Sequence, residues 1–298
     1  MDPRALVEAM RPHQWVKNLL VFAPLLFAHR LLEPDSLWAS CRAFATFSML
    51  ASAVYLGNDA ADREADRRHP RKRNRPIASG RLSVPAALIA AGVLVVGALA
   101  LAWTLPAGRN GLPFVTWPLT YVGVNIAYSL GLKRVAILDL MCIALGFQFR
   151  VHAGSVAIEV ESSRWLLLCT FFFATFLAAC KRREELASAD PAGEGATRAS
   201  LRDYTLTFID QLTAPLAALS ILAYALYTLD AETVEKHGPN LMVTVPIVTF
   251  GVFRYLWLVH TRDAGGDPSR TLVRDPQILA SGVLYVAAVA TVVRWLDA

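Results

Sequence analysis

Asn58 is followed by three carboxylates, Asp59, Asp62 and Asp66, at spacings of three and four residues, and a basic stretch from Arg67 to Pro76 comes directly after them. On a helix turning about 100° per residue, the three aspartates fall within about 60° of one another, while Glu64 points elsewhere. Unpaired carboxylates that close repel, and a hard divalent cation relieves the repulsion, usually Mg2+ held together with substrate phosphates. Arg71, Lys72 and Arg75 in the loop behind suit phosphate oxygens. A solvated helix end of mixed charge is the competing reading, and the surroundings of the cluster decide between the two.

Those surroundings are apolar. Of 298 residues, 55% are hydrophobic, and the mean hydropathy is +0.42. Such a balance is foreign to an ordinary water-soluble domain and fits an all-α integral membrane protein. Nine stretches are long and apolar enough to span: about 14–33, 37–57, 84–105, 111–131, 135–158, 164–180, 208–229, 239–259 and 277–295. With the N-terminus cytoplasmic, most of the 29 Lys and Arg residues fall in cytoplasmic regions, as the positive-inside rule demands. The expectation is a single membrane domain over 1–298, with cytoplasmic cap loops at about 58–83, 131–135, 181–207 and 260–276. No cleavable leader is expected in Met1 to Lys17, which lacks an early apolar core. Cys41, Cys142, Cys169 and Cys180 lie in or beside apolar segments without metal or redox spacing, and read as packing residues. The net charge of +5 sits in short loops beside spans, so nucleic acid is not an expected partner.

Several charged residues outside the first cluster could belong to a site. Trp15 and Lys17 precede the first span, either as a lipid anchor or as a lipid-head contact. Tyr128, Lys133 and Arg134 mark the turn between spans four and five, where the two cations are either topology signals or phosphate contacts. Within span five, Asp139 and Arg150 lie eleven residues apart, about 20° apart in azimuth and roughly 16 Å apart along the axis. Ionisable groups at membrane depth face a cavity or a partner. With His152 they are cavity-lining candidates, or else members of an interhelical ion pair. After span six, Lys181, Arg182, Arg183, Glu184 and Glu185 continue the helix into the cytoplasm, and Tyr204 follows on the same membrane face. The segment from His260 to Pro276 carries balanced charge and no assigned role.

The pattern Asn58, Asp59, Asp62, Asp66 strongly resembles the first motif of the UbiA superfamily of membrane prenyltransferases, and the resemblance spans essentially the whole chain. It implies a nine-helix bundle with a lateral opening for a polyprenyl chain and Mg2+ holding a diphosphate against Asp59, Asp62 and Asp66. The second aspartate-rich motif of that superfamily is replaced here by Lys181 to Glu185, which looks fitted to hold phosphate directly. Taken with 11–27, 58–80, 128–139, Arg150, 181–186 and Tyr204-Thr205, this is similar to the decaprenyl-phosphate phosphoribosyltransferase branch.

That branch implies transfer of 5-phosphoribose from phosphoribosyl diphosphate to a polyprenyl phosphate, with release of diphosphate, feeding arabinose donors for cell-envelope glycans. On this reading Asp59, Asp62 and Asp66 are the metal and catalytic residues. Asn58, Arg71, Lys72, Arg75, Tyr128, Lys133, Arg134, Asp139, Arg150, Lys181, Arg182, Glu185 and Tyr204 are the substrate side chains, and Lys17 meets the lipid head. The enzyme would be a multi-pass protein of a bacterial-type inner membrane, able to assemble as a homo-oligomer, with its site facing the cytoplasm. A conventional aromatic prenyltransferase shares the first motif but uses a prenyl diphosphate donor. A lipid transporter or scaffold would explain the apolar bulk but not the aspartates.

Overall fold

The computed structural model describes residues 3–294 except 29, 71, 110, 189–202, 263–265, 267–270, 272 and 273, and leaves undescribed the side chains of 236, 237, 293 and 294. Among the described residues the chain is all-helical. In order come α1 (Pro3–Met10), a 3-10 segment (Pro12–Phe22), α2 (Ala23–Phe27), α3 (Pro34–Ala61), α4 (Arg63–Arg68), α5 (Val84–Ala102), α6 (Thr116–Leu130), α7 (Leu138–Ala157), α8 (Arg164–Ala187), α9 (Leu206–Leu229), α10 (Ala231–His237), α11 (Val245–Arg262) and α12 (Pro276–Arg294).

Among the described residues, six helical stretches are long and apolar enough to cross a membrane: Pro34–Ala61, Val84–Ala102, Leu138–Ala157, Arg164–Ala187, Leu206–Leu229 and Pro239–Arg262. The protein is therefore a multi-pass membrane protein. α5 shows the physics plainly, since it is apolar on every side yet leaves Leu88, Ile89, Val93 and Val96 exposed. A helix hydrophobic all round is stable in that state only when lipid is the solvent. The remaining three expected spans look different. The stretch 14–33 is a 3-10 segment followed by the short α2, α6 has 15 residues, and the apolar part of α12 is Pro276–Val292. Apolar content directs a stretch to be buried but does not fix its winding.

Local signals set the helix ends. Ser83, Ser163 and Thr205 each cap an N-terminus by accepting from the backbone N–H three residues on, which satisfies a donor the helix leaves open. α4 stops at Arg68, two residues before Pro70, as the missing N–H of proline requires.

The chain forms two compact units, and the division falls inside α7. One unit holds 3–133 and 145–162; its main core joins Val21, Leu25, Phe47, Leu50, Phe114, Tyr121, Ala153 and Val156, and a smaller cluster joins Ala5, Ala9, Leu56, Ile77 and Leu82. The other holds 134–144, 163–188 and 203–294, with a core of Leu140, Phe176, Cys180, Ile209, Ala217, Tyr255 and Leu258. All four cysteines are free thiols.

Candidate functional site

In the first unit the carboxylate cluster lies at the junction of α3 and α4. The expected single helix carrying three aspartates on one face is interrupted: Asp62 leaves the α-helical region (φ −88°, ψ 7°), so α3 ends at Ala61 and α4 restarts at Arg63. Aspartate competes with helical backbone bonding through its own side chain, and a junction at such a residue is physically reasonable. The consequence is a split of the cluster. Asp59 and Asp66 are 4% and 3% exposed, whereas Asp62 is exposed.

Two guanidinium groups meet the buried pair. Arg75 Nη1 lies 3.1 Å from Asp59 Oδ1 and 2.7 Å from Asp66 Oδ2, bridging the two carboxylates with one nitrogen. Arg11 Nη2 donates to both oxygens of Asp59, at 2.7 and 2.9 Å, and its guanidinium rests 4.9 Å from the Tyr55 ring centre. Arg11 has a left-handed backbone (φ 55°) at the head of the 3-10 segment, a conformation rare for residues other than glycine. Asn58 Oδ1 accepts from Ser129 Oγ at 3.1 Å. The loop behind the cluster is tied down by Arg67 Nε to the Ala78 carbonyl and by Arg81 to Glu8 at 2.7 Å. Lys72 lies in this loop, half-buried; Arg71 lies outside the described residues.

Among the described residues no group of three His, Cys, Asp or Glu side chains converges on a common point. The donor set still fits a hard cation. It is oxygen-only and partly buried, and a guanidinium nitrogen already stands between the two carboxylates where positive charge is most favourable. Mg2+ keeps several ligands from water and phosphate, so two protein carboxylates suffice.

Arg150, expected as a cavity or phosphate residue, belongs to the same unit and is 7% exposed. It meets neutral partners: Asn18 Oδ1 at 2.6 Å, the Gly146 carbonyl at 2.6 Å and Tyr121 OH at 3.0 Å, with its guanidinium 4.6 Å from the Tyr121 ring centre. Asn18 also bonds Ser48, eleven residues before Asp59 on α3. That places this layer roughly 16 Å along the helix from the carboxylates. His152 bonds Ser162 at 2.6 Å and packs edge-on to Trp117. Lys17, Tyr128 and Lys133 are half-buried in this unit.

The second unit contains an ionic network built around a buried arginine. Arg182 is 0% exposed; its Nε donates to Asp139 Oδ2 and its Nη1 to Glu185 Oε2, both at 2.7 Å. Tyr204 OH donates to Asp139 Oδ1 at 2.7 Å and accepts the Ile137 backbone N–H. Ile137 has φ 70°, a real outlier for a β-branched residue, and this bond holds it there. Burial raises the Tyr204 hydroxyl above its ordinary range, so it stays a proton donor at neutral pH. The direct phosphate contact expected of Arg182 is not what the structure shows, because its side chain is sealed from solvent and already engaged by two carboxylates. Arg183, one residue on, pairs with Asp210 at 2.7 Å, and Lys181 is half-buried. Arg134 is exposed at the end of a 3-10 turn, Leu132–Arg134.

Arg11 is the site residue that sequence reasoning missed. Its partner lies 48 positions away, beyond any local periodicity. The only signal for it was its place at the head of the 11–27 stretch that carries the family resemblance.

A membrane-embedded helical fold with paired carboxylates and cations at one helix junction defines a class, and the UbiA prenyltransferase family pattern matches residues 19–190. The chain belongs to that family. Among curated proteins it is 36% identical to the decaprenyl-phosphate phosphoribosyltransferase of Mycolicibacterium smegmatis, over 96% of this chain and 91% of that one. Against the enzyme of the same name from Mycobacterium tuberculosis the identity is also 36%, over 97% and 94%. The fold matches a UbiA homologue from Archaeoglobus fulgidus solved with GPP and Mg2+, with a TM-score of 0.73 at 18% identity over 97% of this chain and 99% of that one.

Proposed function

We propose that this protein transfers the 5-phosphoribosyl group of phosphoribosyl diphosphate to the phosphate of a decaprenyl-type polyprenyl lipid and releases diphosphate. The observation that carries this reading is similarity at 36% identity, over 96% of the chain, to a curated enzyme named for that reaction. The chain's own chemistry supports it. Asp59 and Asp66, with Asn58 beside them, would hold Mg2+, and the ion when bound would offset the charge of the departing diphosphate. Arg11 and Arg75 lie against those carboxylates and would bind the diphosphate oxygens there. Lys72, Arg71, Lys133, Arg134 and Lys181 supply further positive charge for the 5-phosphate and the lipid phosphate. Asp62, exposed beside the pair, would add a third carboxylate on the solvent side of that metal site.

The bond between C1 of the ribose and the diphosphate oxygen breaks, and an oxygen of the lipid phosphate bonds to C1. A phosphate monoester is already anionic at pH 7, so the acceptor needs no strong base. The work of the basic side chains is to bring two anions together in a fixed orientation. Asp139, Arg182, Glu185 and Tyr204 hold the turn that ends in Arg134 and the helix end that carries Lys181. Tyr128 and Lys17 are assigned to the substrate and lipid-head side of the first unit. We further assign nine membrane passes, a cytoplasmic N-terminus and cytoplasmic site, a bacterial inner membrane and a role supplying arabinose donors for envelope glycans. The positive-inside charge pattern supports the topology. A homo-oligomer is part of the same proposal.

A paired incubation tests the reaction. Purified protein with Mg2+ receives phosphoribosyl diphosphate and polyprenyl phosphate in one tube, and a prenyl diphosphate and 4-hydroxybenzoate in the other. A new glycolipid in the first tube alone is expected; a prenylated aromatic in the second alone overturns the proposal.

A further inference from the structure

The 3-10 segment Pro12–Phe22 runs for 11 residues, although such helices seldom exceed three or four. Side chains on two other helices account for its length. Trp15 Nε1 donates to Ser52 Oγ at 3.0 Å, and the same hydroxyl lies 3.1 Å from the Met10 carbonyl. One turn on, the buried Asn18 donates to Ser48 Oγ at 3.0 Å and accepts from Arg150 Nε at 2.6 Å. One turn further, Gly154 of α7 lies directly against the Val21 backbone: a Cβ on it would stand 2.9 Å from the Val21 carbonyl carbon. No L side chain fits there unless the segment moves.

Residues 15, 18 and 21 share one face only because a 3-10 helix has three residues per turn. Wound as an α-helix, the same positions would spread over about 120° and could not all reach their partners. Ser48 and Ser52 on α3, and Arg150 and Gly154 on α7, are each four apart, so each pair faces one way. The two helices thus grip the segment at one register. At its head stands Arg11, left-handed at φ 55° and bonded to Asp59.

We infer that Arg150 and Gly154 are positioning residues for the Asp59–Asp66 site: they hold the 15–18–21 face of the 3-10 segment in the register that delivers Arg11 to Asp59. The inference rests on the reading of that pair as the donor-diphosphate site. Arg150 acts there from roughly 16 Å away along the helix axis, through Asn18 and the segment, and not by touching phosphate.

The test is a double-mutant cycle on the full-length protein in lipid nanodiscs. Arg11→Gln is expected to raise the KM for phosphoribosyl diphosphate by about tenfold or more, the scale of one hydrogen bond to a charged group. Gly154→Ala, Arg150→Gln and Ser52→Ala should each raise the same KM and leave that for polyprenyl phosphate unchanged. Combined with Arg11→Gln, none should raise it further, because a residue acting through Arg11 has nothing left to act on. Ser52→Ala removes one hydroxyl and keeps the cycle readable if Gly154→Ala fails to fold. Amide hydrogen exchange over 12–22 should quicken in Arg150→Gln and Ser52→Ala but not in Arg11→Gln. Additive KM effects, or a normal KM in all three positioning variants, overturn the inference while leaving the site assignment standing. A normal KM in Arg11→Gln, with full turnover by Asp59→Ala, overturns both.

Discussion

Arg182→Met separates a buried structural cation from a substrate contact. In the structure Arg182 is sealed from solvent between Asp139, which is also fully buried, and Glu185, which is 25% exposed at its side chain. Methionine keeps most of the volume and removes the charge. Asp139 then remains buried with the Tyr204 hydroxyl but without its cation, and Glu185 can turn toward water. Breaking a buried pair by removing one partner costs about 3–5 kcal/mol, so the folding constant should fall by roughly 150-fold to a few thousandfold. Asp139→Asn should cost less, because Glu185 still neutralises Arg182. The double variant Arg182→Met/Asp139→Leu should recover most of the stability, since neither charge remains to be buried. By contrast, Arg81→Ala breaks an exposed pair with Glu8 and should cost no more than about 1 kcal/mol. Unfolding by SDS in mixed micelles, followed by tryptophan fluorescence, measures all four. If Arg182→Met is as stable as the parent and instead shows a raised KM for phosphoribosyl diphosphate, the network is not structural and the reasoning fails.

Three further outcomes are expected. Asp59→Ala and Asp66→Ala should each abolish transfer in a folded protein, while Asp62→Ala, which alters an exposed side chain, should retain measurable kcat/KM; equal losses in all three would contradict the split seen at the helix junction. Tyr204→Phe removes the acceptor that holds the Ile137 N–H, at a cost of about 1–3 kcal/mol, and should speed hydrogen exchange over 132–139; unchanged exchange there would show that Ile137 is held by something else. Asp275 accepts from Arg254 at 2.9 Å, and that bond holds its carboxyl below the ordinary carboxylate range. Its folded pKa is depressed, so its contribution is complete above about pH 4 and lost as pH falls through the folded value. Asp275→Asn should therefore lower stability at pH 7 and make little difference in strong acid, as thermal unfolding at the two pH values would show.

Much of this molecule could be read from composition and spacing, and the exceptions have physical causes. The apolar blocks announced a membrane protein. Asp59 and Asp66 were legible because their spacing puts them on one side of a helix. Asp62 was misplaced by the same logic, which assumes an unbroken helix through five polar positions. Asp139 stood out as a charge within an apolar span and Arg182 as part of the charged helix end after span six, but their pairing is a contact across 43 positions, and sequence periodicity carries no such information. The 3-10 winding of Pro12–Phe22 was invisible for the same reason. It is imposed by Ser48, Ser52, Arg150 and Gly154, which lie on α3 and α7, not by the segment's own residues.

Isotope placement tests most directly which bond of which donor is broken. Phosphoribosyl diphosphate is supplied in two forms, labelled in the ribose or in the β-phosphate, to the purified protein with Mg2+ and polyprenyl phosphate. Ribose label is expected in the lipid fraction and β-phosphate label in free diphosphate. β-Phosphate label in the lipid, or no ribose label there, would contradict the proposed transfer.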